Sequence, residues 1–329
     1  MAMAMAMKLR FLPSYEHRFM STPPPSSKPW CFSPTKLMIK IKSQTQSLQF
    51  KASSKKNRRP ENVDGEFFVD HTCIDCDTCR WMAPYEGGKE MGASLSASSM
   101  EVFTRVDGMS VVSKQPSCQD EHLKALQALL SCPTSSIHTE KPAHNILEVQ
   151  KTFPIPIDVE RIPGVYHCGY HSEKSYGAAS YLIVHPEGNI LIDSPRYTER
   201  LACNIENMGG ARYMFLTHRD DVADHQKWSE RLSCERILHS TEVEASTNNV
   251  ETKLNGCGPW SLNDDIQIIH TPGHTEVLSQ QLDSVAMLLE LEFEWMIPGH
   301  GRKAVYKDVE EKNSSIKAFL AAKQHTGYF

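Results

Sequence analysis

Three histidine motifs, each directly after a short apolar run, constrain how the C-terminal half of this 329-residue chain can fold. The apolar runs have the length and composition of buried strands, and helical patterns separate them. Polar loops that follow such strands can aim imidazole and carboxylate groups at one metal ion. The pattern therefore predicts layered α and β structure with a shared metal site at the strand ends. The three strand-and-loop segments are Tyr213–Leu216 with 217–225, Ile266–Ile269 with 271–275, and Trp295–Ile297 with 298–301.

The same alternation of apolar runs and helical patterns continues through the rest of this half. It predicts further strands at Val165–His167, Tyr181–Val184, Asn189–Ile192 and Arg236–His239. It also predicts helices at Thr198–Met208, Ala223–Leu232, Leu282–Glu294 and Asp308–Lys323.

The N-terminal half contains a second pattern of metal-binding type. Cys73, Cys76 and Cys79 form a Cys-x-x-Cys-x-x-Cys motif, which puts three thiolates on one tight loop, as around a cubane iron–sulfur cluster. A local fourth ligand would precede Pro84, where the chain has alanine, but a Cys-Pro pair occurs later, at Cys132. Strands at Glu101–Arg105 and Ser110–Ser113 and a helix at Asp120–Ser131 are predicted between the motif and that pair.

On these residues, segment 64–139 resembles single-cluster [4Fe-4S] ferredoxins, in which three clustered cysteines and one remote Cys-Pro ligate one cluster. The resemblance implies a ferredoxin-like domain with Cys73, Cys76, Cys79 and Cys132 as cluster ligands. A zinc knuckle or four thiols without metal are the alternatives that the residues leave open. Cys118, Cys168, Cys203, Cys234 and Cys257 lie outside the pattern and are expected to be small packing residues.

The C-terminal half, from Pro156 onward, resembles the metallo-β-lactamase-fold superfamily, whose first motif is His-x-His-x-Asp-His. His218 matches its first position, Asp220 occupies the second histidine position, and the pair at 224 and 225 matches Asp-His after two extra residues. The resemblance implies an αββα sandwich with two metals, and Asp193 matches the structural acid of the family. The implied ligand sets are His218, Asp220 and His274 for one metal, and Asp224, His225 and His300 for the other.

The implied chemistry is hydrolysis by a hydroxide held between two metals, with Asp224 orienting that nucleophile or shuttling its proton. Carboxylate in place of imidazole at Asp220 keeps zinc, iron and manganese admissible. The family also has an Asp that bridges both metals, on a strand pair between the last two histidine motifs. Only 25 residues separate His274 from His300, and their one Asp, Asp283, is predicted to open a helix. We therefore predict that an internal strand pair is missing near 277–281, which leaves the second metal site incomplete.

The first sixty residues differ in charge from the rest of the chain. They contain 12 Lys or Arg and one acid, whereas the remainder has 23 basic and 39 acidic residues. A basic, Ser- and Pro-rich segment that is poor in acids is typical of an organelle transit peptide, and we expect the chloroplast rather than the mitochondrion. A disordered basic arm that binds RNA or an acidic partner is the competing interpretation. A reducing plastid stroma favours metal ligands over disulfides for the clustered cysteines.

The resulting prediction is an α+β protein with four segments. These are a transit peptide or disordered leader (1–60), a ferredoxin-like domain (61–140), a linker (141–156) and a metallo-β-lactamase-like domain (157–329). The leading function is a metal-dependent hydrolase of a small-molecule substrate, with doubtful activity in this shortened form. The alternatives are a diiron redox enzyme fed by the cluster from an electron donor, and a non-catalytic cluster-bearing or regulatory protein. The net charge of −5 argues against nucleic acid as main partner, and no apolar run is long enough to span a membrane.

Overall fold

A computed structural model of the chain describes residues 5–9, 58–84, 101–274 and 278–325. These residues form a mixed α+β structure, as the sequence predicts. The helices are α1 (Thr78–Met82), α2 (Gln119–Ser131), α3 (Ile146–Gln150), α4 (Glu199–Asn207), α5 (His225–Leu232), α6 (Leu278–Met287) and α7 (Val309–His325). No helix in the described ranges is long and apolar enough to cross a membrane.

Sixteen strands are present in the described residues, most of them short. They are β1 (Met5–Leu9), β2 (Phe67–Val69), β3 (Phe103–Val106), β4 (Met109–Val112), β5 (Ile137–Thr139), β6 (Ile155–Pro156), β7 (Val165–His167), β8 (Tyr181–Ile183), β9 (Ile190–Ile192), β10 (Tyr213–Phe215), β11 (Glu235–His239), β12 (Thr252–Leu254), β13 (Trp260–Ser261), β14 (Ile266–His270), β15 (Trp295–Met296) and β16 (Ala304–Val305).

A seven-stranded sheet in the order β12-β11-β10-β9-β8-β7-β6 forms the centre of the C-terminal half. Strands β9 to β12 are parallel, whereas β6 to β9 are antiparallel. Parallel neighbours require a crossover, which α4 supplies between β9 and β10 and α5 supplies between β10 and β11. The carboxyl ends of β9 and β10 therefore lie side by side at one edge of the sheet, and Asp193 and His218 follow them there.

A second, smaller sheet contains β14, with β13 on one side and β1 on the other. Strand β1 runs antiparallel to β14, with Met5 opposite His270 and Leu9 opposite Ile266. This strand belongs to the segment predicted as a leader, and the remaining residues of that segment up to 57 lie outside the described ranges. A transit peptide at this place stays a prediction.

Between the last two histidine motifs, the described residues form α6 and a short 3₁₀ turn, Leu288–Glu290, and no strand precedes β15. This agrees with the predicted lack of an internal strand pair. The helix begins at Leu278 rather than at the predicted position 282, so that Asp283 lies inside it and is exposed rather than in its first turn. Burial of Val285 and Leu288 on one face determines the helix position.

The buried side chain of Lys312, from α7, bonds to backbone carbonyls where this helical segment ends. Its Nζ donates to the carbonyl oxygens of Leu288 (2.7 Å), the first residue of the 3₁₀ turn, and of Leu291, directly after the turn. Carbonyls at a helix end lack partners within the helix, so a cation from another element satisfies them. Helix α7 is thereby tied to the segment between β14 and β15.

The N-terminal half consists of the β2–β5 pair, the β3–β4 hairpin and α2. After β1, the described residues resume at Arg58, and the buried Arg59 donates to the carbonyl of Ser110 at 3.1 Å. The segment predicted as a linker contains α3 and also β6, which joins the central sheet. One apolar cluster runs from Phe67 and Leu126 through Leu182 to Trp228, so both halves share a core.

Candidate metal and cluster sites

The loops after β10 and β14 bring three side chains with metal-binding atoms together. The ligand atoms of His218, Asp220 and His274 all lie within 4.8 Å of one another. Nε2 of His218 is 3.9 Å from Oδ2 of Asp220, and the two imidazole rings have centroids 4.5 Å apart. His218 is buried, whereas the Asp220 side chain is 44% exposed. The group therefore opens to solvent on the carboxylate side.

Thr217 and Asp193 orient the buried imidazole of His218. Thr217 donates to the Asp193 carboxylate from its backbone N (2.7 Å) and from its hydroxyl (3.0 Å), and its oxygen lies 3.0 Å from Nδ1 of His218. A hydroxyl that donates to a carboxylate accepts from Nδ1–H, which leaves the lone pair of Nε2 free. That atom is buried and has no hydrogen-bond partner in the described structure. An oriented imidazole with a buried Nε2 that makes no hydrogen bond fits a metal ligand, because the other ring nitrogen of a metal-binding histidine is usually hydrogen-bonded to the protein.

The histidine pKa values agree with ligands that are neutral near pH 7. Burial lowers the pKa of His218 to about 4, with a smaller effect from neighbouring His274. Burial also lowers the pKa of His274 and of His300. Neutral imidazoles are the form that binds metal.

His300 lies beside this group but outside its 4.8 Å spacing. After burial, the charge of His274 lowers the pKa of His300, and the charge of His300 contributes to the lowered pKa of His218. Its loop is held by two hydrogen bonds, from Ala179 N to Gly299 O at 2.7 Å and from the Tyr181 hydroxyl to Pro298 O at 2.8 Å.

The structure does not bring Asp224 and His225 into the group. Oδ2 of Asp224 accepts from the backbone N of Tyr197 (2.9 Å) and Oδ1 accepts from Lys174 Nζ (3.0 Å). Nδ1 of His225 lies 3.2 Å from the guanidinium of Arg236. Helix α5 begins at His225, and both side chains are engaged by elements away from His218. No second group of three metal-binding side chains with this spacing occurs in the described ranges.

Asp221 is a buried acid at the site that the sequence motifs did not single out. Its Oδ2 is 3.7 Å from Nδ1 of His218, and its Oδ1 has no hydrogen-bond partner among the described residues. Burial, and then the charge of Asp193, raise the pKa of Asp221, while burial also raises that of Asp193. Two consecutive acids at 220 and 221 could have indicated an acid at this site. The sequence alone does not show which of the two side chains is buried.

The four cysteines predicted as cluster ligands form one interacting group in the N-terminal half. None of the described cysteines is in a disulfide. Burial raises the pKa of Cys76, and the neighbouring Cys132 and Cys73 raise it further. The same causes raise the pKa of Cys79. Four cysteine sulfurs grouped in this way can act as the ligands of an iron–sulfur cluster.

Each of the four sulfur atoms has a hydrogen-bond donor within reach. The Ser110 backbone N lies 3.4 Å from Sγ of Cys73, and the Ser110 hydroxyl lies 3.3 Å from that of Cys79. The Thr78 hydroxyl is 3.3 Å from Sγ of Cys76, and the Ser136 backbone N is 3.3 Å from Sγ of Cys132. Donors directed at sulfur stabilise thiolates and are among the factors that set cluster potentials. The residues therefore fit an iron–sulfur cluster.

A comparison with protein families supports this interpretation. Residues 97–139 match the model of the 4Fe-4S single cluster domain of Ferredoxin I. The match confirms the predicted resemblance for this part of the chain, which includes Cys132; the other three cysteines precede the matched residues. The chain thus carries a segment of the single-cluster 4Fe-4S ferredoxin type.

Comparison with solved structures finds metallo-β-lactamases, the class that the histidine motifs resemble. The Cronobacter sakazakii enzyme with a HARLDQ motif is 16% identical, with a TM-score of 0.35, and the match covers 50% of this chain and 90% of that one. BJP-1 of Bradyrhizobium japonicum, a subclass B3 enzyme, is 12% identical, with a TM-score of 0.36, covering 50% and 91%. FEZ-1 of Legionella gormanii is 15% identical, with a TM-score of 0.37, also covering 50% and 91%. Among curated proteins, none matches the sequence.

Proposed function

We propose that this chain is a metal-dependent hydrolase with a [4Fe-4S] cluster domain, and that His218, Asp220 and His274 hold the catalytic metal. The observation that carries the proposal is the group of three ligands within 4.8 Å, one of them a buried Nε2 without a partner. Catalytic zinc sites use three protein ligands and leave a fourth position open. The exposed side of Asp220 provides that opening.

A metal ion bound here would supply Lewis acidity and would lower the pKa of bound water towards neutrality. Two imidazoles and one carboxylate suit zinc, and they equally suit ferrous iron, so the donor set alone leaves the metal identity open. The substrate is a small molecule that reaches the site from the open carboxylate side.

The chain's own residues have distinct tasks in this site. Thr217 and Asp193 hold the His218 ring so that Nε2 points to the metal position. Asp221 lies next to that ring, with its Oδ2 3.7 Å from Nδ1 of His218, and burial and the charge of Asp193 raise its pKa. A catalytic role of Asp224 stays a prediction, since its carboxylate is paired with Lys174.

A redox enzyme is the second candidate, and one contact favours it. The Thr78 hydroxyl on the cysteine loop lies 3.0 Å from Nδ1 of His171 in the C-terminal half, and the charge of His300 influences His171. The cysteine loop is thus in direct contact with the C-terminal half through His171. A diiron centre needs a second ligand set, which the described residues do not assemble.

Metal analysis of the full chain, purified anaerobically, tests the proposal. We expect four irons per chain, a signal of a reduced [4Fe-4S] cluster in electron paramagnetic resonance, and one further metal. His218→Gln is expected to lose the further metal only, and Cys76→Ala to lose the cluster signal only. His144→Gln, at an exposed histidine of the same chain, is the matched control.

Activity then separates the functions. We expect the metal-loaded chain to hydrolyse at least one of three activated probes, an aryl ester, an aryl phosphodiester and a thioester, and His218→Gln to abolish that hydrolysis. Two further irons with oxidation of the reduced cluster by a small acceptor would favour the redox enzyme instead. A chain that retains the cluster but binds no further metal would refute the hydrolase and leave the non-catalytic, cluster-bearing protein.

We also propose import into the chloroplast by residues 1–60, which are basic and contain one acid. A fusion of these residues to a fluorescent protein is expected to enter plastids. Entry into mitochondria would support the alternative compartment, and retention in the cytosol would refute a leader.

A further inference from the structure

Two buried histidines of the C-terminal half are in direct contact beneath the cysteine loop. Nε2 of His167 lies 2.8 Å from Nε2 of His171, and both residues are almost inaccessible to solvent. The Trp81 ring from α1 covers the pair, with its centroid 4.9 Å from that of His167. The proposed metal chemistry uses neither imidazole.

The hydrogen-bond partners determine where the protons of this pair lie. Nδ1 of His171 is 2.7 Å from the carbonyl oxygen of Gly177, which can only accept, so this nitrogen carries a proton. Two Nε2 atoms at 2.8 Å need one donor and one acceptor. Burial lowers the pKa of His171 to about 4, so its ring is neutral and its Nε2 accepts from His167.

The same Nδ1–H also faces the cysteine loop. It lies 3.0 Å from Oγ1 of Thr78, which therefore accepts from His171 and keeps its own proton free to donate. Cys76 bound to the cluster is a thiolate without a proton, so that its Sγ, 3.3 Å from Oγ1 of Thr78, is then the acceptor. All donors then point in one direction, from His167 through His171 and Thr78 to the sulfur of Cys76.

Gly177 makes a second contact between the same two segments. A Cβ at this position would lie 2.7 Å from Cβ of Cys76 and 3.2 Å from Cγ of Pro133, and the backbone has a φ of +82°. Only glycine allows this close approach without strain. The Gly177 carbonyl, which accepts the hydrogen bond from His171, is thereby held against the cysteine loop.

We propose that His171 is a positioning residue for the cluster, which fixes the Thr78 hydroxyl as a donor to the Cys76 sulfur and so raises the reduction potential. The proposal rests on the cluster of the proposed function and adds a link by which the C-terminal half tunes it. Reduction adds a negative charge to the cluster, and a donor to a ligand sulfur stabilises that charge. Hydrogen bonds in a chain polarise one another, so His167 strengthens the last donor.

The midpoint potential of the cluster in the full chain, measured by redox titration followed by electron paramagnetic resonance, tests this role. Thr78→Val is expected to shift the potential to more negative values, and Thr78→Ser to restore it. His171→Leu is expected to shift it in the same direction, whereas His171→Asn, which keeps a donor near the Nδ1 position, restores most of it. Thr152→Val is the control, because the Thr152 hydroxyl bonds to the Val149 carbonyl and to the Gln127 amide.

The outcomes separate this inference from the function on which it rests. A full iron content with an unchanged potential in Thr78→Val and His171→Leu would overturn the proposed hydrogen-bond chain from His171 through Thr78 to Cys76, while leaving the cluster intact. If His171→Leu loses the cluster, two other comparisons of midpoint potential test the proposal. They are Thr78→Val against Thr78→Ser, and His171→Asn against the wild type. A wild-type chain without iron would refute the proposed cluster, and with it the hydrogen-bond chain to Cys76.

Discussion

Replacing Thr217 by valine removes the group that orients the candidate metal ligand His218. The substitution keeps the shape of the side chain but deletes the oxygen that lies 3.0 Å from Nδ1 of His218 and 3.0 Å from Asp193. The backbone bond from Thr217 N to Asp193 remains, so that the loop is expected to keep its course. Loss of such an outer partner weakens metal affinity by about 10–100-fold, or roughly 1.4–2.7 kcal/mol.

Competition with a chromophoric zinc chelator measures this change in dissociation constant. Thr241→Val is the matched control, because Thr241 makes the same kind of contact, 2.8 Å from Nδ1 of His239, a residue outside the metal group. We expect weaker zinc binding in Thr217→Val, near-normal binding in Thr217→Ser and no change in Thr241→Val. Equal zinc affinities for Thr217→Val and the wild type would refute the assignment of His218 as an oriented ligand.

Two further predictions concern stability. Lys312→Met removes the buried donor of the Leu288 carbonyl and is expected to lower the free energy of unfolding in urea by about 1.5–3 kcal/mol, whereas the exposed Lys317→Met is near neutral; equal losses in both variants would contradict this role. Glu251 pairs with the buried Arg236, which lowers its pKa to about 2. Because the folded pKa is the lower one, the pair stabilises the fold above about pH 4.5 and less so as pH falls towards 2. The advantage of wild type over Glu251→Gln, about 1–2 kcal/mol after solvent screening, is expected to shrink in acid unfolding series, and a constant difference would count against it.

The local elements of the C-terminal half were largely predictable, because short apolar runs and helical spacing are properties of neighbouring residues. The helix predicted at Thr198–Met208 is α4, and the strand predicted at Tyr213–Leu216 is β10, each within one residue at either end. The short interval between the last two histidine motifs also predicted correctly that a strand pair is absent there among the described residues. The position of α6 was predicted less well, because burial of Val285 and Leu288 against the rest of the fold determines it.

The sequence by itself identified the residue types and spacings of both candidate sites, namely four cysteines in a ferredoxin-like order and histidines at strand ends. Only the tertiary structure decided which side chains meet. His218 and Asp220 share the loop after β10 of the central sheet, and the loop after β14 of the second sheet brings His274 to them. Asp224 is paired with Lys174 instead. The contact between His171 and Thr78 joins residues 93 positions apart, and no local pattern encodes such a distance. Side-chain direction depends on packing between distant segments. For that reason, the tertiary structure rather than a local motif determines which of these side chains come into contact.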